Sequence, residues 1–176
     1  MHATRKLWTW LAVICALSFA VLGWVGTEIY LTAPPIPKQV VNTESTVLFS
    51  EGQVKRGQEA WLSAGGQQLG SVWGHGSYVA PDWSADWLHR EALALREIYA
   101  TQGLGKSYDQ LTVGQQAELN ARLKVEMRRN SYDAATETIT LSPQRAEAVN
   151  QVIQHYVGVF GNDASMDKLR EQYAMN

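Results

Sequence analysis

The sequence predicts a mainly α protein: one membrane-spanning helix followed by a largely helical domain. Three observations predict it. Residues 7–27 form a run of 21 without a charge. Several later segments repeat apolar residues at three- and four-residue spacing, the period of a helix with one buried face. Cap signatures, Thr112-x-x-Gln115 and Ser142-Pro143, stand just ahead of two of those segments. In a chain of 176 residues, 45% hydrophobic content and 10% aromatics suffice for a packed core, and chain-wide disorder is excluded. The net charge of −2 offers no surface to nucleic acid.

The span is assigned to residues 7–31. About 20 apolar residues match a hydrocarbon layer of roughly 30 Å. Trp8 and Trp10 mark one interface, Trp24 and Tyr30 the other. A cleaved signal peptide would carry a shorter apolar region, about 7–15 residues. The small-x-small triplet Ser18-Phe19-Ala20 lies inside the run and not after it. The segment therefore reads as an uncleaved anchor. Arg5 and Lys6 precede it, Glu28 follows, and no Lys or Arg recurs before Lys38. The positive-inside rule then puts residues 1–6 in the cytoplasm and the main domain in the periplasm, at a bacterial inner membrane. Cys15, the one cysteine, lies within the span, so neither an internal disulfide nor a structural zinc site is available.

The remaining elements follow in order. Pro34, Pro35 and Pro37 stop the helix. Residues 32–50 read as a linker, extended over 38–50, ahead of a domain over 51–162. A short helix is predicted from Gln53 to Leu62, with Val54, Gly57 and Trp61 on one face and Gly65-Gly66 ending it. Residues 63–83 are glycine-rich and lack a period, as in an ordered loop. Ser84 is the predicted N-cap of a helix through Trp87, Leu88, Glu91, Leu95, Ile98 and Tyr99, closed by Gly103 and Gly105. The Thr112 box starts a helix to about Arg129. Thr138–Leu141 alternates as one short strand. Ser142-Pro143 opens a helix with Ala146, Val149, Val152, Ile153, Tyr156, Val157 and Phe160 as its apolar stripe, and Gly161 closes it. Met166 to Met175 is a last amphipathic segment.

Chemistry concentrates between Ser63 and Glu91. Trp73, Trp83, Trp87, His75, His89, Asp82 and Asp86 share this stretch with several glycines. Glycine lets backbone approach a partner closely or adopt positive φ. Tryptophan in a wet loop suits a partly apolar surface. Two readings stand level: a docking surface, or a tryptophan-rich loop that closes a small core. His75 and His89 have no companion ligands at a recognised metal spacing and read as structural or interface residues. Asp82 and Asp86 lie one turn apart near a helix start, where the dipole favours carboxylates. His155 reads as structural, and Arg128-Arg129 as a solvated helix end. No nucleophile–base pair or phosphate-binding glycine loop appears, so the chain holds no self-sufficient active site.

The stretch GQEAWLSAGGQQLGSVWGHGSYVAPDWSADWLHRE, residues 57–91, resembles the quinol-dependent nitric oxide reductases. The similarity extends over essentially the whole chain, through LREQYAM at 169–175. The GGQQ, WGHG and APDW-x-ADWLHRE elements carry it in combination. The resemblance implies a cytochrome c-like helical domain fused ahead of a catalytic helix bundle. Where a haem c subunit has Cys-x-x-Cys-His, residues 64–68 read Ala-Gly-Gly-Gln-Gln, so no covalent haem c is expected and quinol is the implied electron source. The complete enzyme would reduce two NO to N2O with haem b, haem b3 and non-haem iron. None of these is expected to bind this chain alone. By position, Gly76 and Tyr78 would contact a calcium ion bridging haem propionates. Trp73, His75, Tyr78, Asp82, Trp83, Trp87 and His89 would face the bundle, and residues 163–176 would lead toward it. That bundle, absent here, is expected downstream in the same full-length chain or in a separate one. The rival reading is a stand-alone membrane-anchored binding or assembly protein.

Overall fold

The computed structural model describes residues 2–76, 81–173 and 175, with the side chains of residues 2, 3, 75 and 76 left out. The chain divides into two compact units, Met1–Pro35 and Ile36–Asn176.

The first unit is helix α1, His2–Thr32. Its stretch Thr4–Thr32, 29 residues, is long and apolar enough to cross a membrane. Leu17, Phe19, Leu22 and Trp24 are exposed along it, as a lipid-facing helix requires. Thr9, Thr27 and Thr32 each donate a hydroxyl to the carbonyl four residues back, so even the polar groups bond within the helix. The helix is one candidate membrane anchor near the N-terminus.

The second unit carries β1 (Gln39–Asn42), β2 (Val47–Phe49), α2 (Gln53–Ser63), α3 (Gly66–Leu69), β3 (Ser71–Val72), β4 (His75–Gly76), α4 (Trp83–Leu104), α5 (Val113–Arg128), β5 (Tyr132–Asp133), β6 (Thr138–Leu141), α6 (Pro143–Phe160) and α7 (Asp167–Gln172). The helical assignment holds, and each predicted cap except one is where the sequence puts it. Thr112 and Gln115 form the reciprocal box, and Ser142 caps α6 with proline behind it. The exception is α4. Its N-cap is Asp82, not Ser84, because the Asp82 carboxylate accepts from the Ala85 amide and starts the helix earlier.

Residues 38–50, read from sequence as an extended linker, are extended but paired. β1 runs parallel to β6 and antiparallel to β2, and β5 completes the four-stranded order β2-β1-β6-β5. Only β6 announced itself in the sequence. The other three strands are two to four residues long, and Gln39–Asn42 lacks the alternation of Thr138–Leu141. The domain therefore begins at about Ile36, and residues 36–50 belong to it.

Two apolar clusters hold the unit. One joins Leu95, Ile98, Tyr99 and Ala100 of α4 to Tyr108, Leu111, Leu119 and Ala148. Arg96 and Arg122 lie over the rings of Tyr108 and Tyr99 at 3.8 Å, covering them with guanidinium planes. The other joins Val40 and Leu141 of the sheet to Ala146 and Val149 of α6. Residues after α6 turn back onto the domain. Arg170 donates to the carbonyls of Gly158 and Val159 in the last turn of α6, where the helix leaves acceptors free, and to those of Gly161 and Asp163 just beyond it. The segment 163–176 is thus built into the domain over its described residues.

Candidate docking surface

The N-terminal half of α4 and the C-terminal half of α6 meet through aromatic rings. Trp83 is nearly buried and lies edge-on to Trp61, Tyr156 and Tyr173, with ring centroids 6.1, 6.1 and 5.4 Å away. Trp87 stacks on Tyr156 at 5.5 Å and 2°. Phe160 closes the group against Trp61 and Trp83. Edge and offset contacts of this kind add to simple area burial.

Two glycines make room for the indoles. A Cβ at Gly66 would stand 2.1 Å from the Trp61 ring, and one at Gly70 would stand 2.1 Å from Trp83 Nε1. Gly66 and Gly70 are four residues apart, at the start and just past the end of α3. Residues 66–70 are therefore a floor for two tryptophans.

The aromatic group is open on one side. Trp61, Val72, Trp83, Trp87, Tyr156 and Phe160 line a shallow groove of about 230 Å³. It continues past Trp87, Tyr156 and Phe160 into a wider apolar recess bordered by Phe49, Val54 and Val157. Phe160 remains 45% exposed and Val157 60%, high values for an apolar stripe assigned to a core. A contiguous exposed apolar surface marks an interaction site more often than a scatter of single residues does.

Acid–base pairs border the aromatics. Glu91 is buried, accepts from Trp87 Nε1 at 3.1 Å, and is paired with Arg145 Nε at 2.7 Å. Asp86 accepts from Arg90 Nε and from the Tyr156 hydroxyl, both at 2.7 Å, and Arg90 also donates to the Tyr173 hydroxyl. Burial pushes the Asp86 carboxyl up, but its bonds from Arg90 and Tyr156 outweigh this and hold it below its ordinary value. Burial and the neighbouring Asp86 charge push the Tyr156 hydroxyl up, so it stays protonated as a donor. His155 is lowered by burial and by Arg90.

Beside this group, β3 and β4 form a hairpin with Ser71 opposite Gly76 and Val72 opposite His75. Its two-residue turn is Trp73-Gly74, both at positive φ, 53° and 75°. That is the backbone of a type I′ turn, whose twist suits a tight hairpin. Gly74 adopts it freely, whereas Trp73 does so against its Cβ.

The sequence-predicted residues divide accordingly. Trp83 and Trp87 sit in the aromatic group. Trp73 is at the hairpin tip and 74% exposed. Asp82 lies at the hairpin base. His89 is exposed on α4, apart from the cluster. His75 and Gly76 lie in β4, and Tyr78 lies outside the described residues. Among the described residues no group of three or more His, Cys, Asp or Glu could hold a metal. The sequence reading missed Trp61, Tyr156, Phe160 and the Glu91–Arg145 pair as parts of one site. A signal existed for the last: Glu91 occupies an apolar-periodic position of α4, where a carboxylate needs a partner.

No curated protein matches the chain. A family model for the NorB cytochrome c-like domain of nitric oxide reductase matches residues 37–176, from just before β1 to the last residue. That stretch covers the whole helical unit with its aromatic face and its hairpin, and the chain belongs to this nitric oxide reductase family.

Proposed function

We propose that this chain is the anchor and docking domain of a quinol-dependent nitric oxide reductase, seated on the enzyme's catalytic membrane bundle. The observation that carries the reading is residues 64–70. A domain of this family that took electrons through a covalent haem c would need two cysteines there. The segment has none, and two of its three glycines, Gly66 and Gly70, seat Trp61 and Trp83 instead. In this reading the indoles take the room a haem would need, and electrons reach the catalytic haems from quinol in the membrane. The domain keeps its shape, while the chemistry belongs to the bundle, with haem b, haem b3 and non-haem iron.

The docking role is supported by the open aromatic face and by the exposed Trp73. The periplasmic side is supported by Arg5 and Lys6 ahead of α1. Gly76 and Tyr78 would offer a calcium ion one carbonyl and one phenol oxygen, ligands of the type a hard cation takes. The rest of that shell would have to come from the bundle.

The test is the full-length enzyme with two donors. Reduced quinol should sustain NO reduction, and a reduced soluble cytochrome c should not. Turnover with cytochrome alone would overturn the quinol assignment. For docking, His75→Ala and Tyr78→Phe should lower turnover or haem retention. Unchanged turnover and unchanged spectra in both variants would remove the docking role.

A further inference from the structure

We propose that Asp82 is a positioning residue. With Ser84 it forms a clasp that fixes the Ser71–Gly76 hairpin, so that Trp73 stands out as a preset anchor for the apolar surface of the membrane-embedded catalytic part. The identity of that partner rests on the function proposed above. The clasp itself rests on geometry.

Asp82 does more than cap a helix. Its Oδ1 accepts from the Ala85 amide at 2.9 Å, which is the cap. Its Oδ2 accepts from the Ser71 hydroxyl at 2.7 Å and from the Gly74 amide at 2.6 Å. The Trp73 amide donates to Ser84 Oγ at 3.1 Å. The Ser71 amide donates to the Pro81 carbonyl at 3.1 Å. One carboxylate thus ties the first strand and the turn of the hairpin to the first turn of α4. Both turn amides donate to side chains at the start of α4.

The residue held this way is the wrong one for stability alone. Trp73 has positive φ, a conformation that a bulky side chain resists. Its indole is 74% exposed, and among the described residues no ring contact holds it. The backbone ties to Asp82 and Ser84 hold the strained turn, but among the described residues no ring packs on the exposed indole. Strained residues persist where the surroundings over-determine them, and they concentrate at binding sites. Indoles are also the side chains that most often anchor protein interfaces. A preset anchor spares the partner the entropy of ordering it.

Asp82→Asn separates the two jobs of the side chain. The amide oxygen can keep the Ala85 cap, but the amide nitrogen cannot accept from Gly74. Amide hydrogen exchange is read on the full chain in detergent. Gly74 should exchange roughly tenfold faster in the variant, the loss expected for one charge-assisted bond, while Ala85 stays protected. In the complete enzyme, Asp82→Asn should lower turnover or haem retention as Trp73→Ala does, and the double variant should lose no more than Trp73→Ala alone. Unchanged Gly74 exchange would overturn the clasp. Faster exchange with an undisturbed enzyme, where Trp73→Ala is impaired, would overturn the positioning role. No effect of Trp73→Ala itself would overturn the docking assignment and leave the clasp standing. If Asp82→Asn does not fold, Ser84→Ala removes the Trp73 tie alone and is read at the Trp73 amide in the same way.

Discussion

Helices α4 and α6 run through two regions built on different terms. Toward the C-terminal half of α4, Leu95, Ile98 and Ala100 meet Ala148, Leu119 and Leu111 in a closed core of aliphatic side chains and ring edges. Toward its N-terminal half the same helix presents Trp83 and Trp87 to Tyr156 and Phe160, and the surface stays open. The first region buries its leucines, isoleucine, alanines and two tyrosines almost entirely. The second gathers three tryptophans with Tyr156 and Phe160 and leaves part of their area uncovered. The difference separates the part that holds the fold from the part available to a partner.

The comparison can be broken at either end. Leu95 is fully buried, so Leu95→Ala should destabilise the domain by about 2–5 kcal/mol, read from the denaturation midpoint of the full chain in detergent. A cost under about 1 kcal/mol would mean that the aliphatic end is not the keystone. Gly66→Ala places a methyl on the Trp61 ring, which is backed by Trp83 and Phe160. We expect a loss of about 1–3 kcal/mol and a changed near-ultraviolet tryptophan signal. An unaltered signal would show that the indole has room to retreat.

A smaller effect is expected from pH. Asp86 sits below its ordinary 3.8 in the folded state, so it stabilises the fold above that value, and the contribution disappears as pH falls through the lower folded value. Arg90, Tyr156, Tyr173 and His155 face this group. Asp86→Asn should flatten the acid side of the stability profile, and equal acid slopes in both proteins would refute this. The smallest effect should come from Val157→Ser on the open face. Stability should change by less than about 0.5 kcal/mol, while association with the catalytic bundle weakens. A large loss of stability there would make the open face part of the core.

Much of the fold was legible in the sequence because helices write their period and their caps into it. The Thr112 box, Ser142-Pro143 and the α6 stripe were all found where the structure has them. Of the sheet, only β6 was legible. The other three strands carry too little alternation, and β1 owes its conformation to β6, far away in the chain. The α4 cap was misplaced by two residues because Asp82 and Ser84 are equally good caps locally. The hairpin decided between them, and it appears only in three dimensions. The site was half legible for the same reason. Trp73, Trp83 and Trp87 stand out in a glycine-rich loop, whereas Tyr156 and Phe160 look like ordinary core residues until their exposure is seen.

The parallel pairing of β1 with β6 has a consequence for how the molecule is made. Gln39 is joined to Thr138, a partner 99 residues further along. At about 5–20 residues per second, the ribosome needs roughly 5–20 s to deliver that partner after β1 has emerged. During that interval Val40 lacks Leu141, Ala146 and Val149, the residues that bury it in the folded domain. The nascent chain therefore presents a sticky edge until β6 has been synthesised.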